Sequence, residues 1–482
     1  MNANELPQTD SYRAARKRRG RSPQPLKPGQ RRSWLPALAV GASLIVLVLA
    51  VTMPLWLPGA VRRVIPDRYI MAYAPAPLQA MIFNIDPGQV LPTPDVPANP
   101  DRLLQAPAAV SPGEATPWPT LAAVVPAVTG TSQPAPEPTA TAGAGQAAAF
   151  ATATPAPVVI PEEHLLTNVA QVPQGYNKCG PATLTSYLGF YNSSLTQNDI
   201  SNAVKPHPED SNVRPDELAD YARSQGYGAI ERINGDLDLL KQLIAAGYPV
   251  MIERGFDELP DEGWMGHYML MIGYSDVTGE FTAMDSYWGT NRRHDDPSFP
   301  VDQWEYGRFD ALWQDFNRAY IVVYNPGQEA EVASIIGPDM DESTMYAKAL
   351  NRTLAEAEQN PADPFAWFNL GEVYNALGQY GDAAAAFDMA RQLGTPWRTM
   401  WYRFGPYEAY YQTGRYDDVI SLAQATTDPT NYPESEEAFL YLGRVYAARG
   451  DARTARSMYN KALQYNPNYS AAQEALAALG EG

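Results

Sequence analysis

The chain changes its hydrophobic rhythm four times. Leu35 to Val61 holds no charged side chain, and Leu38 to Leu49 within it is almost wholly aliphatic. Those 27 residues exceed the roughly 20 that a helix needs to cross a bilayer, with Trp34 and Trp56 near the ends where amphipathic rings favour the interface. From about Ala74 to Ile160 the pattern dissolves into Pro, Ala, Thr, Val and Gly. Residues 101–160 carry ten prolines and one basic residue, Arg102, a composition that sustains neither helix nor ladder and predicts an extended, disordered stalk.

Globular texture starts near His164. Cys179 to Tyr191 predicts a helix, and RPDELADYARSQG (214–226) and GDLDLLKQLIAAG (235–247) predict two more, each closed by a glycine. YPVMIE (248–253), two runs around a turn at SDVTG within residues 267–289, and RAYIVVYN (318–325) predict strands. Helices followed by an antiparallel sheet make this segment α+β.

After Pro326 the period becomes 36 residues, set by Gly378, Gly414 and Gly450. Trp367, Leu370, Gly371, Tyr374, Ala383, Phe387 and Ala390 are echoed at equal offsets by Phe439, Leu442, Gly443, Tyr446, Ala455, Tyr459 and Ala462. The middle unit keeps only Tyr410, Gly414 and Tyr416. Aromatic knobs facing small residues on a second helix predict stacked helical pairs, with residues 470–480 as a closing helix. The pattern resembles the tetratricopeptide repeat (TPR), W-x2-L-G-x2-Y followed by a small residue, an aromatic and a proline. That resemblance implies an all-α solenoid that binds peptides or proteins.

The net charge of −19 divides unevenly. Residues 1–33 carry nine Lys/Arg against Glu5 and Asp10, a balance of +7 that leaves −26 for the rest. So acidic a body disfavours nucleic acid. A basic tail before an apolar span predicts a cytoplasmic N-terminus and an extracytoplasmic body. An uncleaved anchor is preferred over a cleaved signal peptide because the apolar run is long and no small-x-small site follows it. The organisation expected is therefore a basic tail (1–33), a single transmembrane helix (34–61), a Pro/Ala/Thr-rich linker (62–160), an α+β domain (161–327) and a repeat domain (338–482).

One cysteine in 482 residues precludes an internal disulfide and a thiolate zinc cluster, and no cofactor or metal is expected. Cys179, before Gly180-Pro181, opens a predicted helix whose dipole and unpaired N–H groups favour a thiolate. Gln174 lies five residues upstream as a candidate oxyanion donor, with Gln171 as the alternative. Of the four histidines, His207 and His294 lie in polar loops and His164 at the stalk boundary. His267 opens a strand behind Gly266. A turn centred near Val277 pairs Asp285 with residue 269, diagonal to His267 and within side-chain reach. Any one of these residues alone is more readily an ordinary core residue than a catalyst.

The order Gln174, Cys179-Gly180-Pro181-Ala182, Gly266-His267-Tyr268 and Asp285 resembles the papain-like cysteine peptidases, most closely the C39-like family. The resemblance spans about residues 160–325. It implies a papain-like fold with Cys179 as nucleophile, His267 as base, Asp285 as orienting acid and Gln174 as oxyanion donor. Peptide hydrolysis is the activity expected, with the repeats recruiting a protein substrate or partner from outside the active site. A non-catalytic binding scaffold and an acyl transferase using the same triad remain alternatives. A cut near Gly337 is expected to leave both halves folded.

Overall fold

The computed structural model describes residues 88–94, 100–104, 160–207, 210, 212–257, 263–287, 302–427 and 435–480. The basic tail and the apolar span at 34–61 lie outside them. Among the described residues no helix is long and apolar enough to cross a membrane.

Seven strands form one antiparallel sheet: β1 (Glu163–Leu165), β2 (Gly228–Arg232), β3 (Val250–Phe256), β4 (Met265–Ser275), β5 (Glu280–Asp285), β6 (Asp302–Glu305) and β7 (Tyr320–Tyr324). Their order is β2-β7-β3-β4-β5-β6, and β1 pairs with the end of β4 beyond its contact with β3. The described residues 100–104 form a short helix α1 (Pro100–Leu104). One face of the sheet is covered by α2 (Cys179–Phe190), α3 (Gln197–Val204) and α4 (Pro215–Ser224), which bury Leu184, Leu188, Ile200 and Leu218 against Met251, Leu270 and Ile321. The other is covered by α5 (Leu237–Ala245), α6 (Tyr306–Gln314) and α7 (Glu329–Ile336). Local chemistry sets the helix starts. Thr196 and Asp199 form a capping box on α3, Glu217 accepts from the Arg214 N–H ahead of α4, and Asp236 caps α5. The sheet core runs past residue 327, because Val332, Ile335 and Ile336 of α7 pack into it.

The all-α part comprises α8 (Glu342–Gln359), α9 (Pro364–Ala376), α10 (Tyr380–Gln392), α11 (Gly405–Gln412), α12 (Tyr416–Thr426), α13 (Glu436–Ala448), α14 (Ala452–Tyr465) and α15 (Ser470–Ala478). The 36-residue period has a direct physical basis. Gly371 of α9 lies under the Phe387 ring of α10, and Gly443 of α13 under the Tyr459 ring of α14; a Cβ at either glycine would come within 2.6 Å or 2.3 Å of the ring. Gly378, Gly414 and Gly450 each end a helix at φ of 72°, 73° and 81°.

The middle unit departs from this plan. A 3₁₀ turn at Trp397–Trp401 precedes a shortened α11, and Arg403 stands 36 residues after Trp367, where the repeat wants an aromatic knob.

Part of the predicted stalk is not a spacer. Leu91 and Leu103 are buried in the helical core, the Leu91 N–H donates to Thr395 O at 2.9 Å, and Arg391 Nε donates to Pro92 O at 2.8 Å. The large aliphatic residues of this segment, absent from residues 131–157, supply the apolar area that lets it dock.

Candidate active site

The site forms where the N-terminus of α2 meets the first residues of β4. Thr183 Oγ1 donates to Tyr268 O at 3.2 Å, and Gly180 packs against the Tyr268 ring, which together hold the helix start beside His267. Cys179 is partly exposed and hydrogen-bonded to the imidazole. His267 Nε2 lies 2.7 Å from Asp285 Oδ1, which leaves Nδ1 to face the thiol. The structure thus brings Cys179, His267 and Asp285 into one chain of hydrogen bonds.

Register explains why Asp285 is on the correct face. Near the turn the pairs are Ser275↔Glu280, Tyr274↔Phe281 and Gly273↔Thr282, which, extended unbroken, would place Asp285 opposite Leu270 and turn it away from the histidine. A bulge between Met271 and Gly273 inserts Ile272 and shifts the pairing by one. Asp285 therefore opposes Met269, as expected from a turn at Val277, although the turn itself is centred half a residue later. Leu166 N–H donates to Ile272 O at 2.8 Å and fixes the bulge.

The electrostatics follow from burial and neighbours. Burial pushes the Cys179 thiol up. The hydrogen bond and charge of His267, the Tyr268 backbone and the charge of Lys205 outweigh it, and the thiol ends below its ordinary value. Burial pulls His267 down, yet the Asp285 charge and hydrogen bond, then those of Cys179, raise it to about 9. Asp285 is pushed up by burial but held below the usual carboxylate range by His267 first, then by Arg254 and the Tyr287 N–H. The arrangement favours a thiolate–imidazolium pair. Phe256 and Tyr287 ring the histidine at 5.3 Å and 6.2 Å and screen it from water.

Gln174 and Gln171 are separated by their partners. Gln171 Nε2 is spent on Asp285 O at 2.5 Å. Gln174 Oε1 accepts from Ser286 Oγ at 2.9 Å, and its backbone N–H donates to Ser286 O at 2.9 Å, so its amide NH2 remains available as a donor. The other histidines do not reach the site: His164 pairs with Tyr274 on β1, His207 packs on Tyr465, and His294 lies outside the described residues. Among the described residues no group of His, Cys, Asp or Glu is arranged to hold a metal ion.

Three residues at the site were missed from sequence. Arg254 is fully buried opposite His267 in the β3–β4 register, 3.6 Å from Asp285 Oδ2; an arginine after the apolar strand PVMIE was its signal. Lys205 is buried beside the thiol and donates to Asn177 O at 2.8 Å. Tyr402 comes from the helical part, so the repeats, expected outside the active site, reach its edge. A Cβ on Gly266 would lie 3.0 Å from its ring and 2.7 Å from Phe316, and the Tyr402 hydroxyl is raised by burial and then by the charge of Cys179.

The model of the Peptidase_C39 like family matches residues 166–319. Solved structures similar to this chain include a C39-like peptidase from Bacillus anthracis (15% identity, 34% of this chain and 98% of that one, TM-score 0.28). Others are the peptidase domain of Streptococcus ComA, a bi-functional ABC transporter involved in quorum sensing (20%, 32% and 96%, 0.25), and xylellain, a cysteine protease from Xylella fastidiosa (18%, 35% and 87%, 0.27). No curated protein matches the chain. Residues 166–319 carry a C39-like, papain-like α+β peptidase domain.

Proposed function

We propose that this chain is a membrane-anchored, extracytoplasmic cysteine peptidase that hydrolyses peptide bonds through Cys179, His267 and Asp285. The observation that carries the reading is the single thiol of the chain, at a helix N-terminus, hydrogen-bonded to an imidazole that a buried carboxylate orients. The thiolate attacks the scissile carbonyl, and the Gln174 NH2 with the N-terminal amides of α2 receives the oxyanion. His267 protonates the departing amine. It then draws a proton from water, whose attack releases the carboxylate product and restores the thiol. The basic tail and uncharged span before residue 62 support the anchor, and the 36-residue spacing supports a TPR-type module that recruits a protein substrate or partner.

The test is mass spectrometry of peptides and culture proteins incubated with the wild type and with Cys179→Ala. New termini are expected with the wild type alone, the variant losing several orders of magnitude in rate while keeping its thermal transition. Equal cleavage by the variant would refute the assignment.

A further inference from the structure

Between the sheet and the helical part lies a cavity of about 190 Å³. An engineered cavity of about 150 Å³ holds a benzene, so this one holds a single long side chain or one small molecule. Phe316, Phe404 and Met345 give it apolar walls, and carboxyls of both parts meet in it, Glu253 from β3 and Glu372 from α9.

The cations that line it make their short contacts elsewhere. Arg214 binds Asp216 and Glu437, each at 3.0 Å; Arg232 donates to Asp339 O and Met340 O; Arg403 Nη1 donates to Asp315 O and Asn369 Oδ1, both at 2.7 Å. The two carboxyls are less well served. Glu253 is 4% exposed and has no ion pair among the described residues. Glu372 is 7% exposed, its Oε1 accepts no hydrogen bond, and the nearest cation atom, Arg403 Nε, stops at 3.8 Å. Burial pushes both carboxyls above the usual range. An entering cation would give Glu253 a charged partner and Glu372 a closer one than Arg403, as buried carboxylates require. The cavity reaches toward the site, because Tyr402, which lines it, also packs on Gly266, the residue before His267.

We propose that this cavity binds an ammonium or guanidinium group on an aliphatic stem, held by Glu372 and Glu253, and that its natural source is a basic side chain of the peptide substrate. The assignment to substrate rests on the peptidase reading; the cation site does not.

Two arms separate them. In the first, the full-length Cys179→Ala protein is titrated calorimetrically with butylguanidine and with the neutral isostere butylurea. At least tenfold tighter binding of butylguanidine is expected, reduced to near parity by Glu372→Gln. Should that variant fail to fold by its thermal melt, Glu253→Gln reads the same preference. In the second, the wild type cleaves peptide pairs that differ only in lysine or norleucine at each position around the scissile bond. One position should favour lysine at least tenfold in kcat/KM, through KM, and lose that preference in the variant. Butylguanidine binding without peptide discrimination assigns the cavity to a free small cation. Binding with no cleavage of any peptide keeps the cation site and ends the peptidase reading. Equal affinity for butylguanidine and butylurea overturns the proposal.

Discussion

A thiol and an imidazole that share a proton titrate as a pair, so the pH dependence belongs to Cys179 and His267 together. The nucleophile must be deprotonated, with a value held below the ordinary thiol, and the imidazole must be protonated to release the amine, with a value raised to about 9. The profile of kcat/KM should therefore rise on the acid side, hold a plateau through neutrality, and fall as pH passes about 9. Replacing Asp285 by Asn removes the largest of the forces that raise His267, so the alkaline limb should move down in pH as the maximal rate drops. A limb that stays near 9 in Asp285→Asn would show that the carboxylate does not set it. At this scale the sequence was informative because each residue type carries its chemistry with it: one thiol, four histidines and a glycine-proline helix start leave few combinations. Lys205 escaped because a buried cation in a polar run has no sequence signature, and the arginine after PVMIE could be read as a site residue only once the register set Arg254 opposite His267.

At the scale of elements, hydrophobic periodicity located α2, α4, α5 and strands β3, β4, β5 and β7 to within a few residues. It missed β1, β2 and β6, of three to five residues, because runs so short and partly polar show no period, whereas the equally short β7 is wholly apolar. The Ile272 bulge was also illegible, since a bulge is a relation between two strands and not a property of either. The poor match of the middle repeat was legible, and its meaning becomes clear at the active site. Arg403 replaces the aromatic knob, the helix start shortens, and Tyr402 turns toward Gly266. Gly266 is where that contact can be probed. Gly266→Val places carbon where Phe316 and Tyr402 now lie, and overpacking of this kind costs about 1–3 kcal/mol. The variant should remain folded with a lowered Tm and lose at least tenfold in the alkylation rate of Cys179, because His267 is the next residue in the strand. An unchanged alkylation rate would show that the helical part does not support the histidine.

The molecule as a whole does not divide where the composition does. Sequence texture breaks after Pro326, but the described parts of residues 58–482 belong to one compact unit. Trp264, just before β4, stacks on Phe316 at 5.7 Å and packs on Phe365 and Tyr402 of the helical part at 5.1 Å and 6.0 Å. Arg318 reaches Glu356, Arg352 reaches Gly235 O and Asn369 reaches Gln314 O, each at 2.7 Å, and Arg214 reaches Glu437 at 3.0 Å. A fragment of residues 160–337 keeps the Trp264–Phe316 stack but loses all the other partners at once. Uncovering an aromatic side chain costs about 1.5–3 kcal/mol, and each lost hydrogen bond about 0.5–1.5 kcal/mol. Several of both approach the whole stability of a domain, about 5–15 kcal/mol. The expectation that both halves survive a cut is therefore reversed. The 160–337 fragment should be aggregation-prone or melt well below the intact protein, and should alkylate at Cys179 at the rate of an ordinary unfolded thiol. Adding residues 338–482 in trans should recover part of the fast alkylation, since the interface is made of side chains and needs no chain continuity. A fragment that melts with the intact protein and keeps its reactive thiol would mean that the helical part merely leans on the peptidase domain, and that Tyr402 is a neighbour of the site and no part of it.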